Sequence, residues 1–127
     1  QRARMVEDRL THGKRIAQLV ASEVTGHERS LSSLSVTESD PDVDPTEDGA
    51  FAYAVEREGE RVAEVYVHPD RARVEFLVEQ EAVAAAAERE GLRVRPKAVR
   101  PPRTLVFVED GAQVKWLLPA LRAVADP

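Results

Sequence analysis

The sequence contains no cysteine, which excludes disulfides, thiolate-held zinc, iron–sulfur clusters and a cysteine nucleophile as functions of this chain. It has only three lysines and one isoleucine among 127 residues, and six aromatic residues in all. No apolar run approaches the roughly 20 residues that a membrane helix needs, and the opening "QRARMVEDRL" lacks the apolar centre of a signal peptide. A soluble, cytoplasmic chain without membrane attachment is expected. Dinucleotide and phosphate-binding glycine motifs are missing too, since "GAQVK" does not qualify, so no cofactor is expected.

Arginine is abundant instead, at fifteen residues, and alanine and valine together supply thirty-six. Acids exceed bases, giving a formal net charge of -5. The length is that of a single domain, which buries roughly two-thirds of its unfolded surface; residues 1–4, "QRAR", read as an extension outside its core. The arginine and acid bias points to a GC-rich, salt-adapted genome. The stretches "MVEDRLTHGKRIAQLVASEVTG", "EDGAFAYAVEREGERVAEVYVHPDRARVEFLVE" and "RVRPKAVRPPRTLVFVEDGAQVK" resemble a small uncharacterised protein family of halophilic archaea. That resemblance implies a salty cytoplasm and transfers no catalytic residue.

Periodicity predicts the elements. Val6, Leu10, Ala17, Val20 and Val24 recur at helical spacing, and Gly26 follows as a stop. A weak extra strand is expected near 31–36. Phe51, Tyr53 and Val55, then Ala63, Val65 and Val67, alternate around a hairpin turn at Gly59. Ala72, Val74, Phe76 and Val78 continue the meander after the "HPDR" turn. An alanine-rich helix follows at 79–91. "LRVRP" and "TLVFV" are two further strands, the second short and apolar enough to suggest burial on both faces. Asp110 caps a last helix, which Pro119 should kink or split. The fold class is therefore α+β: a single antiparallel or mixed sheet with helices mainly on one face, in the order α-β-β-β-α-β-β-α. That order resembles the bacterial secretion chaperones, small dimeric protein binders, at the level of fold alone.

Candidate sites are few. Arg93, Arg95, Lys97, Arg100 and Arg103 form a run of five cations without an acid, a candidate anion or nucleic-acid grip. Stacking aromatics are sparse around it, and an electrostatic grip weakens steeply in molar salt. Glu56, Glu64 and Glu75 are predicted on the same sheet face, where cross-strand pairing would neutralise the cations. Nucleic acid is therefore not the expected partner. Asp40, Asp42 and Asp44 match the start of a calcium loop, but Pro45 occupies the glycine place and Phe51 the bidentate place, so no metal is expected. His12, His27 and His68 have no nucleophile or carboxylate placed beside them by the sequence, and Glu109 with Asp110 suits capping better than catalysis. An enzyme with an unrecognised site is the weakest reading. On the face opposite Tyr53, Val55, Val65, Val67, Val74 and Phe76, alternation leaves Val62, Tyr66 and Leu77 as apolar exceptions. These are the expected contact residues of a homodimeric protein-interaction module.

Overall fold

The structure, a computed structural model, describes residues 12–26 and 30–127. Val6, Leu10, His27 and the extension at 1–4 lie outside the described residues. Helix α1 (Gly13–Gly26) buries Ile16, Ala17, Val20 and Val24 on one stripe, the spacing that puts side chains on one face of a helix. Strands β1 (Leu34–Thr37), β2 (Ala50–Arg57), β3 (Glu60–Val67) and β4 (Ala72–Phe76) follow, then helix α2 (Gln80–Arg89), strands β5 (Arg93–Lys97) and β6 (Arg103–Val108), and helices α3 (Gln113–Trp116) and α4 (Leu118–Ala125). The strands make one six-stranded sheet in the order β1-β2-β3-β4-β6-β5, antiparallel at every step. The α+β class and the order of elements agree with the sequence.

One face of the sheet is aliphatic because every second residue is: Val55, Ala63, Val65, Val74 and Val106 join Ile16, Val20, Leu117, Leu121 and Val124 of the helices in one core. Full burial of Phe76 alone contributes about 1.5–3 kcal/mol. At the β2–β3 hairpin, Glu58 and Gly59 both have positive φ, 53° and 86°, the backbone of a two-residue turn that matches strand twist. Pro119 sits in the first turn of α4, and the predicted last helix is split at Leu117.

Five details differ from the sequence reading. The extra strand begins at Leu34 rather than Leu31, whose carbonyl accepts the Leu34 N–H in a preceding turn. β4 ends at Phe76, and Leu92 belongs to the exit of α2, where its N–H donates to Ala87. β6 is not buried on both faces by apolar packing: Leu105 is half-buried, and Phe107 lies outside the aliphatic core. Finally, β3 carries an irregularity. Val55 pairs with Ala63 but Glu56 pairs with Arg61, so Val62 is the extra residue of a β-bulge.

Candidate functional site: the open face of the sheet

The core takes one side of the sheet, and among the described residues no helix residue joins Phe51, Tyr66, Leu105 or Phe107 in a common cluster on the other. Register defines what shares that open face. Phe51 stands opposite Tyr66 and Ala54 opposite Glu64, Tyr66 opposite Arg73 and Glu64 opposite Glu75, Arg73 opposite Phe107 and Glu75 opposite Leu105. Arg93, Arg95 and Lys97 complete the rows against Phe107, Leu105 and Arg103.

Glu64 and Glu75 are like charges directly across a ladder, an unfavourable pairing on its own. Both are also buried, at 7% and 1% relative exposure. What holds them is Arg103, whose Nη1 donates to Glu64 Oε1 and to Glu75 Oε1, each at 2.8 Å. Tyr66 donates its hydroxyl to Glu64 at 2.7 Å and Arg61 adds an ion pair at 2.8 Å. Arg73 Nε reaches Glu75 at 2.8 Å and Lys97 Nζ lies 3.5 Å away. Burial by itself raises both carboxyl pKa values, yet hydrogen bonds from Tyr66, Arg61 and Arg103 to Glu64, and the cations Arg103, Arg73 and Lys97 around Glu75, outweigh it and hold both below the ordinary glutamate range. The carboxylates raise the Arg103 pKa in return, with Glu75 the largest influence.

Rings fill the spaces between these ions. Phe51 and Tyr66 meet edge to face at 5.7 Å, and Arg73 lies 4.6 Å above the Tyr66 centroid. Arg71 and Arg93 both lie over Phe107, at 5.6 and 5.5 Å, which explains why this phenylalanine is only 8% exposed on a face that no described helix covers. Arg61 reaches from the Phe51 ring to Glu38 at the exit of β1.

Of the five predicted anion-binding cations, three are committed: Arg93 to Glu109 at 3.2 Å, Lys97 to Glu75, and Arg103 to both buried carboxylates. Arg95 and Arg100 make no ion pair among the described residues. Glu56 does not neutralise the row; it accepts the Thr37 hydroxyl instead. Of the predicted contact residues, Tyr66 is half-buried on the open face, and Leu77, also half-buried, lies just past the end of β4. Val62 is a correction: the bulge breaks the alternation, and its side chain is fully buried in the aliphatic core.

Residues 5–127 match the model of DUF7993, a family of unknown function. The chain belongs to that family. Among curated proteins and among solved structures, nothing matches the chain. What this member of DUF7993 does must therefore be argued from its own groups.

His12 is exposed at the start of α1, whereas His68 is buried at the end of β3 and belongs to the margin of the open face. Its Nδ1 lies 2.9 Å from the Glu47 carbonyl and its Nε2 2.8 Å from Arg73 Nη1. A carbonyl can only accept and a guanidinium can only donate, so the imidazole is neutral with its proton on Nδ1. Burial lowers its pKa, with Arg71 and Arg73 adding to the effect against the pull of the Glu47 carbonyl. Arg73 also donates to the Asp48 carbonyl, so two side chains of the sheet hold the end of the acidic loop by its backbone. Within that loop Asp40 accepts the Asp42 N–H at 3.1 Å, a local turn. Asp110 accepts the Gln113 N–H at 3.0 Å in the turn before α3, whose N-cap position is Ala112 rather than Asp110.

Among the described residues a concavity of about 430 Å³ is lined by Ser30, Ser32, Ser33, Arg122, Ala125 and Asp126, and another of about 210 Å³ lies between α1 and the acidic loop, lined by Lys14, Ala17, Asp40, Val43, Ala52 and Tyr53 among others. The second is smaller than the roughly 300–1,000 Å³ of ligand sites. Tyr53, whose hydroxyl is raised in pKa by burial, already donates to the Ala17 carbonyl at 2.7 Å.

Proposed function

We propose that the chain is a non-enzymatic interaction module that pairs with a second copy of itself through the open face of its sheet, in the cytoplasm of a salt-adapted cell. The observation that carries this reading is the face itself: Phe51, Tyr66 and Leu105, all half-buried, set among arginines and rings, with half-buried Leu77 just past the end of β4. Aromatic residues and arginine are the side chains enriched at protein contacts. The same geometry argues against chemistry. Glu64 and Glu75 are saturated by Tyr66, Arg61, Arg73, Lys97 and Arg103, and their pKa values are held low, so neither is poised to take a proton near neutral pH. The salt setting is supported by the loop 38–48, in which every acid is exposed.

The footprint sets the strength. Six strands spaced about 4.8 Å, with about five residues each at 3.3 Å, make a face of about 24 by 17 Å. That lies at the small, reversible end of interface sizes. Light scattering at about 100 µM chain, a concentration suited to weak interfaces, should give a dimer. Tyr66→Glu, which adds an acid beside Glu64 on each subunit, should give a folded monomer by light scattering and circular dichroism. Trp116→Glu, changing the exposed tryptophan of α3, should remain dimeric. A monomeric wild type refutes the reading.

A further inference from the structure

We infer that the two copies stack open face to open face about a two-fold axis parallel to the strands, so that the β5 margin of each lies over the β1–β2 margin of its partner. This rests on the self-association proposed above and adds the arrangement of the copies. It follows from how charge is distributed across the sheet. The strand order is β1-β2-β3-β4-β6-β5. At the β1–β2 margin the open face carries carboxylates, Glu38 and Glu56, tied to Arg61 and Thr37 respectively. β3 and β4 carry both signs. β6 and β5 carry Arg93, Arg95, Lys97 and Arg103, in rows set by Arg95 opposite Leu105 and Lys97 opposite Arg103, and the one acid there, Glu109 at the exit of β6, is tied to Arg93, so cations are in excess. The face is therefore antisymmetric in charge, negative at one margin and positive at the other.

Two members of this gradient stand without an ion pair among the described residues, Glu56 at the acidic margin and the exposed Arg95 at the basic one. An in-plane axis parallel to the strands exchanges the margins, so acid meets base on both sides of the dimer. An in-plane axis perpendicular to the strands keeps each margin over itself, acid on acid and base on base. Like charges brought together in this way select against the second arrangement. Facing sheets pack about 10 Å apart with strands within about 30° of alignment, a gap that glutamate and arginine side chains reaching from both sides can close. A polyanion such as RNA suits this face less well. It would meet the β5 cations at one margin and the Glu38 and Glu56 carboxylates at the other.

The test is charge reversal with complementation at about 0.1 M salt, where charges interact over about 10 Å. Arg95→Glu and Glu56→Arg each turn two attractive contacts into repulsive ones, so each variant alone should dimerise about ten-fold more weakly than wild type. Mixed in equal amounts, with one carrying a mass tag, they should form a heterodimer in native mass spectrometry, because both cross-contacts are again of opposite sign. The chain carrying both reversals should recover a homodimer. Circular dichroism verifies each fold, and Arg95→Gln with Glu56→Gln replaces the pair should a reversal fail to fold, each then weakening dimerisation by a smaller factor. A dimeric wild type whose reversal variants dimerise undiminished, or whose mixture does not recover, overturns the arrangement and leaves the open face as the interface. A monomeric wild type overturns both. Retention of single-stranded RNA by the wild type, lost in Arg95→Glu, would replace the second copy by a polyanion.

Discussion

The two faces of one sheet solve the same problem with opposite physics. On the covered face, Val65, Val74 and Val106 sit in register across three strands and are buried by helices, a contact that is non-directional and tolerant of small shifts. On the open face, the adjacent row runs Glu64, Glu75 and Leu105, and burial is achieved by arginines folded over carboxylates and rings. Each bond there has a direction and a partner. The first face fixes that the chain folds. The second is where a particular register is enforced, because sliding β3 against β4 by one pair would separate Glu64 and Glu75 from the one guanidinium that serves both.

That contrast can be broken from either side. The largest effect is expected on the covered face: Phe76→Ala should cost about 3–5 kcal/mol, since a fully buried ring is lost and a cavity is left. On the open face, Arg103→Ala should cost about 3 kcal/mol, because two buried carboxylates lose their shared cation. If the ions serve specificity more than stability, Arg103→Met combined with Glu64→Gln and Glu75→Leu should recover most of that loss in urea unfolding. A single Arg103→Ala that leaves the unfolding midpoint in place would show that the network adds nothing.

Acid sharpens the comparison, since only the open face titrates. Glu64 and Glu75 have folded pKa values below the ordinary range, so in acid the unfolded chain binds more protons than the folded one. Their contribution is complete above about pH 4.3 and falls as pH drops through the folded values. His68 is also lowered, and for a base this means that the neutral form is the one the fold holds. Its contribution is complete above about pH 6.5 and declines below it. Urea midpoints followed from pH 7 to 3 should therefore fall in two steps. His68→Gln should remove the upper step and Glu75→Gln should reduce the lower one. The smallest effect concerns salt. Exposed Asp42, Asp44, Glu47 and Asp48 repel one another over about 10 Å at 0.1 M but about 3 Å at 1 M, so the melting temperature should rise by a few degrees between these concentrations. A flat or falling melting temperature would remove the salt adaptation.

The legibility of the sequence follows the same division. Alternation identified the covered face because apolar contact depends on parity alone, and Tyr53, Val55, Val65, Val67, Val74 and Phe76 are all buried. Parity also placed Glu64 and Glu75 beside the β5 cations. It failed at Val62, where a bulge adds one residue to β3, and at Phe51, which a second register shift in β2 turns from the face of Tyr53 to that of Tyr66; no residue type announces either. Arg61 and Arg73 escaped notice for other reasons: Arg61 is out of phase with Glu64 and Tyr66 and reaches their face only through the Val62 bulge, and Arg73 shares the parity of Glu75, but its role depends on which strands are neighbours, and β4 lies beside β6 rather than β5. Phe107 was read as buried by apolar neighbours when two guanidiniums cover it.

Gly13 has a mechanical consequence. A Cβ at this position would lie 1.9 Å from the His68 carbonyl oxygen and 2.4 Å from that of Arg71, and the Gly13 N–H donates to Pro69. The first turn of α1 thus rests main chain against main chain on the β3–β4 turn, and no side chain can act as a spacer there. Farther along, Val20 and Val24 separate the helix from the sheet with compressible aliphatic bulk. One end of α1 is a fulcrum and the other a cushion. Changes in the volume of the core under α1 should tilt it about Gly13 rather than lift it, leaving the distance between layers fixed at the end where His68 and Arg73 hold the acidic loop.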